Sequence, residues 1–421
     1  MNIKTVFRAL RHKNYRLFLV GQGISLIGTW MQQIAVAWLA YRLTHSAVLL
    51  GVVGFSSQIP AFLIAPFAGV IADRYSRHRL LLITQFLALC QATLLYVLYA
   101  THTIQVWHII GLSFLLGAIN AFDIPVRQSF TVEMLNDRED LSNAIALNSS
   151  MVNAARLVGP SIGGILIAIF GEGACFLLNA VSYMAVLISL SMMKLARQEY
   201  LSRKKESAIR QLKEGFSYAI NFMPIRTILM LLSVMSMVAG GVQALMPVFA
   251  KDVFHGGSRL LGILMAASGL GALAGAIYLA NRRNVLGLSK VIAWTAAVFG
   301  LGVMMFSQTV VLVLALPILL FSGFGMMVQM ASSNIILQML VEEDKRGRVM
   351  SFYTMAFMGL SPFGSLFSGI LASKIGAGLT LLLGGLVCVA AVVVYTSQLK
   401  TLRKYIRPVY IEKGIIERPI Q

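Results

Sequence analysis

Arg156 lies in the middle of the apolar run 148–171, where a charged side chain is costly. An arginine in hydrocarbon costs roughly 2.5–3.5 kcal/mol on insertion scales, so such a residue normally faces a protein interior or a water-filled cavity. On a helix it shares an arc of about 100° with small or polar residues, namely Ser149, Asn153, Pro160 and Gly163. The guanidinium is therefore a candidate for binding an anionic substrate group, such as a carboxylate or catecholate. A structural role, bonded to helix carbonyls or amides, and a role in gating stay open.

Other polar or aromatic residues within apolar runs are further candidates for binding a substrate. Trp30 could stack on an aromatic ligand. Amides in apolar helices more often hydrogen-bond neighbouring helices, so that alternative stays open for each of them. The amide candidates are Asn153, Gln32, Gln33, Gln58, Asn120, Gln243, Gln329 and Asn334.

A short charged turn between the second and third apolar runs could hold two helices together. Gly69 permits close helix contact, and Asp73 can sit against the N-terminal end of another helix. Arg74 and Arg77 follow, and Arg77 can pair with a carboxylate at the end of the fourth run, for which Asp123 is the candidate. The pattern predicts a conformational latch; a purely structural turn is the alternative.

A second group of small residues follows Arg156 on the same run: Gly159, Pro160, Gly163 and Gly164. Glycines let two helices approach closely, and the proline removes one backbone donor. We expect this segment to pack against the second half of the chain; tight glycine packing with no further role is the alternative.

The elements that carry these residues are membrane helices. Of the 421 residues 58% are hydrophobic and 12% are charged, with a mean hydropathy of +0.79, whereas soluble domains carry about 25% charged residues. A bilayer is crossed by about 20 apolar residues, and twelve such segments can be placed. They are 15–41, 47–72, 80–100, 104–127, 141–170, 174–193, 225–250, 260–281, 290–307, 310–340, 349–374 and 378–398.

Basic residues concentrate in alternate loops, which predicts the orientation. With the N-terminus inside, 30 of the 35 lysines and arginines fall in cytoplasmic segments, and four fall outside. We therefore expect both termini in the cytoplasm. The net charge of +19 belongs to this pattern and does not indicate nucleic-acid binding.

Short sequence matches recur between the two halves. Gly164-Ile165-Leu166 with Gly171 and Gly369-Ile370-Leu371 with Gly376 are 205 residues apart. The repeat predicts two pseudo-symmetric six-helix bundles with a site at the midplane between them. The predicted divisions are an N-terminal bundle (1–193), a cytoplasmic linker (194–224), a C-terminal bundle (225–398) and a cytoplasmic tail (399–421). Within the linker, an apolar stripe could lie on the inner leaflet or be part of a solvated connector.

The Gly69 to Arg79 turn resembles the signature of the major facilitator superfamily, which has a glycine, three residues, Asp-Arg, a glycine and two basic residues. Ser76 stands where the family usually has glycine. Helix number, loop charges, linker and duplication agree with this resemblance along the whole chain. It implies an all-α integral membrane protein with twelve transmembrane helices.

A narrower resemblance points to export. The Gly159–Gly164 segment resembles a helix-five signature of exporters. Phe122-Asp123-Ile-Pro125, Asn143 to Ser149, Glu214-Gly215-Phe216 and Arg346-Gly347-Arg348 look like the enterobactin-exporter-like branch, which includes drug efflux proteins. The resemblance implies a secondary transporter of the bacterial inner membrane that exports a siderophore or amphiphilic drug by alternating access and proton antiport. Uptake of a nutrient, or movement of a lipid-like amphiphile, is the alternative.

Proton coupling has no obvious residue in the sequence. The fourth segment has Ser113 where many proton-coupled exporters have arginine, and its one acidic residue, Asp123, lies near the cytoplasmic end. Asp123 is nevertheless the best candidate for protonation, beside its alternative role as the partner of Arg77.

Other functional classes find little support. The six histidines have no paired spacing, no phosphate-binding loop with Gly-Lys-Ser/Thr is present, and the three cysteines lack metal-like spacing. We expect a transporter that acts as a monomer in the lipid bilayer on a small molecule, and no enzymatic activity, cofactor, metal or nucleic-acid partner.

Overall fold

The computed structural model describes residues 8–135, 137–193, 220–282, 285–341 and 343–412. Only the backbone is described for residues 65–74, 138, 142, 343, 344, 346–348 and 412. Across these ranges the chain is helical and contains no strand. Most of the predicted linker, including its apolar stripe, lies outside the described residues.

The first six long helices follow the first six predicted segments to within a few residues. A single 3₁₀ turn, Arg8–Arg11, precedes them, and a second, Arg138–Asp140, comes before the fifth helix. The helices are α1 (Lys13–Thr44), α2 (Ala47–Arg74), α3 (Arg77–Ala100), α4 (Val106–Glu133), α5 (Leu141–Phe170) and α6 (Glu172–Ser191).

The second half continues the pattern but adds three features that the sequence did not predict. The first is a π-helical turn, Phe249–Val253, at the end of the seventh predicted segment. The eleventh predicted segment is interrupted by a π-helical turn, Met355–Gly359, and a short helix follows the twelfth. Pro362 lacks an N–H and its ring crowds the carbonyl four residues earlier, which fits an interruption here. The helices are α7 (Met223–Val248), α8 (Ser258–Ala280), α9 (Leu288–Gln308), α10 (Leu312–Leu340), α11 (Glu343–Thr354), α12 (Ser361–Ile375), α13 (Ala377–Ser397) and α14 (Leu399–Glu412).

Eleven helices of the described part are long and apolar enough to cross a membrane. The remaining predicted span corresponds to α1, a continuous 32-residue helix. The all-helical membrane fold predicted from the sequence is confirmed.

By their internal contacts the residues form two compact units. The first unit holds Met1–Lys204 and Ala244–Gly269, and the second holds Lys205–Gln243 and Leu270–Gln421. The end of α7 and the start of α8 thus group with α1–α6. The predicted bundle boundaries stay predictions.

Each unit repeats the same helix contacts. In the first unit α3 packs against α4 and α6, and α5 contacts α6. In the second unit α9 packs against α10 and α13, and α12 contacts α13. The third segment of each half therefore packs against the fourth and sixth, as expected from an internal duplication.

The repeat extends to the backbone at the helix ends. Gly171 joins α5 to α6 with φ +78° and ψ 175°, and Gly376 joins α12 to α13 with φ +85° and ψ 156°. Only glycine adopts this conformation readily. His45 and His255, which follow the first segment of each half, both have positive φ, 49° and 52°. The matches between the halves in sequence therefore correspond to matching backbone turns.

Candidate substrate and proton sites

Arg156 lies on α5 with its guanidinium over the indole of Trp30 on α1, the two being 5.2 Å apart from Cζ to ring centroid. A cation at this distance from an aromatic face is attracted by the ring quadrupole. Arg156 is partly buried, and the structure gives it no hydrogen bond or ion pair with any described residue. Its charge is therefore not neutralised by an acidic side chain of the described part.

The small residues after Arg156 bring α5 close to two helices of the first unit. A β-carbon on Gly159 would lie 2.9 Å from the carbonyl of Ile27 on α1, and one on Gly163 would lie 2.8 Å from Cγ2 of Ile34. Only Gly164 adjoins α8, where a β-carbon would lie 2.8 Å from the carbonyl of Ser258. The expectation that the whole segment packs against the second half of the chain is wrong for Gly159 and Gly163, because these two glycines accommodate α1.

Gln32 is wrongly assigned to a cavity by the sequence. Its side chain is buried in the first unit, where Nε2 donates to Gln91 Oε1 at 3.0 Å and Oε1 accepts from Asn179 Nδ2 at 2.8 Å. Gln91 in turn donates to the carbonyl of Leu112. Both ends of the Gln32 amide are occupied, so its role is to join α1 to α3 and α6.

The remaining polar candidates differ in exposure. Gln33 is exposed, and Gln58, Asn120, Asn153, Gln243 and Asn334 are partly buried. Gln58 and Asn153 each donate within their own helix, to Gly54 O and Ser149 O, and Gln338 donates to Asn334. Gln329 is buried in the second unit and bonds Ser333 on α10, and its Oε1 has no hydrogen-bond partner among the described residues. Their assignment to a substrate site stays a prediction.

Asp123 is buried between α4 and α3. Its Oδ1 accepts from Thr84 Oγ1 at 2.9 Å and from Gln85 Nε2 at 2.7 Å, both neutral donors on α3. The nearest cation is Arg127, one turn along α4, with its Nε 3.6 Å from Oδ2. The carboxylate is thus held mainly by neutral groups.

Arg77 does not use Asp123 as its ion-pair partner, so that prediction is wrong. Arg77 Nη1 lies 2.8 Å from Oε1 of Glu133, the last residue of α4. Glu133 is about three helical turns beyond Asp123, which places it at the height of the α2–α3 turn. Ser76, which stands where the family usually has glycine, caps α3 by accepting a bond from Arg79 N at 3.5 Å.

The other predicted latch residues are on the helical backbone of α2. Gly69, Asp73 and Arg74 fall in its last two turns, and their side chains lie outside the described part of the structure. The contact predicted for Asp73 therefore stays a prediction.

A second buried carboxylate, Glu172, begins α6. Arg42 of α1 holds it by two contacts, Nε to Oε1 at 3.0 Å and Nη2 to Oε2 at 3.1 Å. Tyr99 of α3 donates to Oε2 at 3.0 Å. This two-contact geometry is a strong form of ion pair.

A third buried carboxylate, Asp140, precedes α5. It pairs with Arg8, with Arg11 Nε at 2.8 Å and with His12 Nε2 at 2.8 Å. The bonded His12 ring, with Arg11 and Arg8, holds the pKa of the Asp140 carboxyl below its ordinary value against the opposing effect of burial. His12, Asp137 and Asp140 place one possible ligand atom each within 4.8 Å, but the two guanidinium groups already compensate Asp140. The expectation of no bound metal stays a prediction.

The segment Ala244–Gly269 contacts α1 and α5 of the first unit. Tyr41 of α1 donates to the carboxylate of Asp252, and Ser258 Oγ donates to the carbonyl of Gly164 at 3.3 Å. A β-carbon on Gly262 would lie 2.7 Å from the carbonyl of Pro160. The start of α8 therefore lies backbone to backbone against α5.

Several residues around these sites were missed by sequence reasoning. Thr84 and Gln91 lie seven residues apart on α3 and so share one face, a signal that was available for a polar face toward Asp123 and Gln32. Glu133, Asn179 and Asp252 have partners more than 50 residues away in the chain, and their spacing gave no signal.

The long apolar helices and the internal duplication agree with the membrane transporter that the sequence predicted. The model of the transmembrane secretion effector family matches residues 4–407, so the chain belongs to this family of the major facilitator superfamily. It is a multi-pass membrane protein of an efflux and secretion family, and not an enzyme.

Three relatives illustrate the range of this similarity. A staphyloferrin A transporter of Staphylococcus aureus is 28% identical over 393 residues, covering 91% of this chain and 96% of the relative. Macrolide efflux protein A of Streptococcus pyogenes is 21% identical over 407 residues, covering 93% and 99%. An enterobactin exporter of Citrobacter koseri is 26% identical over 278 residues, covering 63% of each chain. The predicted resemblance to siderophore and drug exporters is confirmed.

Proposed function

We propose that the protein exports an anionic siderophore, or an amphiphilic drug with an anionic group, across the bacterial inner membrane. The observation that carries the proposal is Arg156, a membrane-embedded guanidinium stacked on Trp30 without an acidic partner among the described residues. A charged side chain inside a membrane span costs free energy, so it is by default a candidate for a function. An anionic ligand would supply the missing charge, and Trp30 would supply an aromatic surface.

The direction and orientation of transport follow from two further considerations. The relatives that share most of the chain include a macrolide efflux protein, and the enterobactin relative is an exporter. The bias of lysine and arginine places both termini in the cytoplasm. Deleting the protein should therefore raise the intracellular amount of siderophore or drug; a fall in nutrient entry would support uptake instead.

The proposal is tested by transport in proteoliposomes with an imposed pH gradient. The substrates are an anionic siderophore and a neutral macrolide, and the variants are Arg156→Gln and Arg156→Lys. A hydrogen bond to a charged group contributes about 1.5–3 kcal/mol, so Arg156→Gln should weaken siderophore transport by about 10- to 150-fold in apparent affinity. The lysine variant should recover part of the loss, because it keeps the charge but not the planar fork.

The macrolide and a matched arginine provide the controls. Transport of the neutral macrolide should change little in Arg156→Gln, and Arg259→Gln, which removes an exposed arginine of α8, should leave both substrates unaffected. Equal loss of both substrates in Arg156→Gln would assign the residue to structure or gating and overturn the anionic-ligand proposal.

Asp123 is the residue we propose to carry the coupling proton. A buried ionisable group within a membrane helix is a functional candidate by default, and its partners are two neutral donors and one cation at 3.6 Å. A protonated Asp123 still has an oxygen that can accept hydrogen bonds, so Thr84 and Gln85 could both continue to donate to it. The hydrogen bonds of the site would therefore persist in either protonation state, and the neutral acid would release only Arg127, which lies 3.6 Å away.

Alternating access would require the contacts around Ala244–Gly269 to break and re-form. We propose that the Gly164–Gly262 approach and the Tyr41–Asp252 bond are made in one state of the cycle and lost in another. Gly262→Ala would place a methyl group 2.7 Å from the carbonyl of Pro160, where backbone cannot easily give way. Overpacking of about 1–3 kcal/mol should shift the balance of states by about 5- to 150-fold and slow transport.

Gly257→Ala is the matched control, because a β-carbon there would meet nothing within 4 Å. It should leave transport unchanged. If Gly262→Ala transports at the wild-type rate in proteoliposomes while remaining folded, the contact does not change during the cycle.

A further inference from the structure

The helix α14 begins almost directly after a membrane helix. Only Gln398 separates it from α13, whose last residue is Ser397. Gln398 is fixed from both sides, since its carbonyl accepts from Leu402 N at 2.8 Å and its side chain accepts from Thr227 at 2.7 Å. The start of α14 is therefore held at the surface where α13 leaves the membrane.

One face of α14 is buried within the second unit. Leu402, Ile406 and Tyr410 are 0%, 5% and 5% exposed, and α14 contacts α10 and α13. Tyr410 OH also reaches the carbonyl of Val285 at 3.5 Å. These contacts fix which side of α14 faces away from the protein.

The side of α14 next to this buried face carries a basic stripe, defined here as Lys400, Arg403, Lys404 and Arg407. All four are exposed, and their i, i+3, i+4, i+7 spacing places them within an arc of about 100°. None of the four has an ion pair with a described residue. Like charges three and four residues apart repel one another on a helix, so anions bound from outside the unit would stabilise the stripe.

The position of the stripe indicates which anions are available. Basic residues on an amphipathic helix next to a membrane span face the lipid headgroups. Tyr405, on the flank of the stripe, is 48% exposed, and tyrosine is a residue that favours the membrane interface. We propose that the basic stripe of α14 binds the phosphate groups of anionic phospholipids in the leaflet where α13 ends.

Lipid selectivity of the full-length protein tests this interaction. The protein is reconstituted in phosphatidylcholine with a small fraction of spin-labelled phosphatidylglycerol or spin-labelled phosphatidylcholine, and the motionally restricted fraction of each label is compared. The wild type should prefer phosphatidylglycerol several-fold. The variant K400Q/R403Q/K404Q/R407Q should reduce the preference to near that of phosphatidylcholine and keep the wild-type melting temperature, because the buried face of α14 is unchanged.

A charge-matched variant separates the stripe from the net charge of the protein. K13Q/R16Q/R79Q/K290Q removes four exposed basic residues elsewhere and should retain the preference. Inorganic phosphate at roughly 10 mM, an ionic strength at which surface charges are only weakly screened, should not abolish it if a membrane surface is the partner. Displacement by phosphate would identify a free-phosphate site and overturn the lipid proposal. A preference that persists in the α14 variant, or that falls equally in both variants, would overturn the proposal as well.

Discussion

Asp123 and Glu172 are both buried carboxylates of the first unit, yet their surroundings differ in kind. Glu172 is held by two contacts to Arg42 and one bond from Tyr99. Asp123 accepts from Thr84 and Gln85, and its one cation is 3.6 Å away. The comparison therefore separates a carboxylate in a two-contact ion pair, Glu172, from one that is held mainly by neutral donors, Asp123.

The difference between the two residues is the basis of the proton-binding role that we propose for Asp123. Exposure does not distinguish the two residues, because both are almost completely buried. What distinguishes them is the set of partners around each carboxylate. Glu172 has a guanidinium in two direct contacts, whereas Asp123 has two neutral donors and only a more distant cation, Arg127, at 3.6 Å.

The largest effect is expected from Asp123→Asn, which removes the carboxylate that we propose to bind the proton. Asparagine has nearly the same shape and can still accept from Thr84 and Gln85, but it cannot bind the proton. Transport driven by a pH gradient should fall by at least about tenfold, a change of about 1.4 kcal/mol. Exchange of substrate without a gradient, measured in the same proteoliposomes, should remain.

Glu172→Gln is the matched control, since it neutralises the other buried carboxylate. The response of its transport to the pH gradient should match the wild type when rates are normalised to folded protein. A gradient response retained by Asp123→Asn, or lost only in Glu172→Gln, would reverse the roles of the two residues.

The next prediction concerns the stability that the Arg42–Glu172 ion pair contributes. The Arg42 side chain is 49% exposed and that of Glu172 is 3% exposed. Arg42→Gln leaves a buried carboxylate without its cation, which costs about 3–5 kcal/mol. Glu172→Gln leaves a guanidinium that can reach water and a side chain that still accepts from Tyr99, which costs about 1–3 kcal/mol. The melting temperature in detergent should fall more for Arg42→Gln than for Glu172→Gln. Equal or reversed losses would contradict an ion pair between a buried Glu172 and an exposed Arg42.

The sequence predicted the helices well because membrane burial and the positive-inside bias act on long stretches of chain. It also predicted the repeat, which reappears in the backbone of Gly171 and Gly376. It could not distinguish Asp123 from Glu172, because the character of each depends on partners far away in the chain, such as Thr84 and Arg42. The role predicted for Gln32 was wrong for the same reason, because whether an amide lines a cavity or joins helices depends on which helix faces it.

The smallest effect is expected at Asp140, which extends the comparison to a carboxylate with three basic partners. Because the His12 bond, Arg11 and Arg8 keep its pKa below the ordinary value, its contribution to stability is present above about pH 4, the unfolded value. The contribution is lost as the pH falls through the lower folded value. Asp140→Asn should thus lower the melting temperature at pH 7 by less than Arg42→Gln does, and the gap to wild type should narrow only below about pH 4.

Asp137→Asn serves as the control, because Asp137 pairs with Arg11 at the surface and its side chain is 58% exposed. An exposed pair contributes about 0–1 kcal/mol, so this variant should melt close to the wild type at every pH. If the gap between Asp140→Asn and wild type instead closed between pH 7 and 5, the loss of stability would not follow the lowered pKa of the Asp140 carboxyl, and its ion pairs with Arg8 and Arg11 would not be the source of the effect.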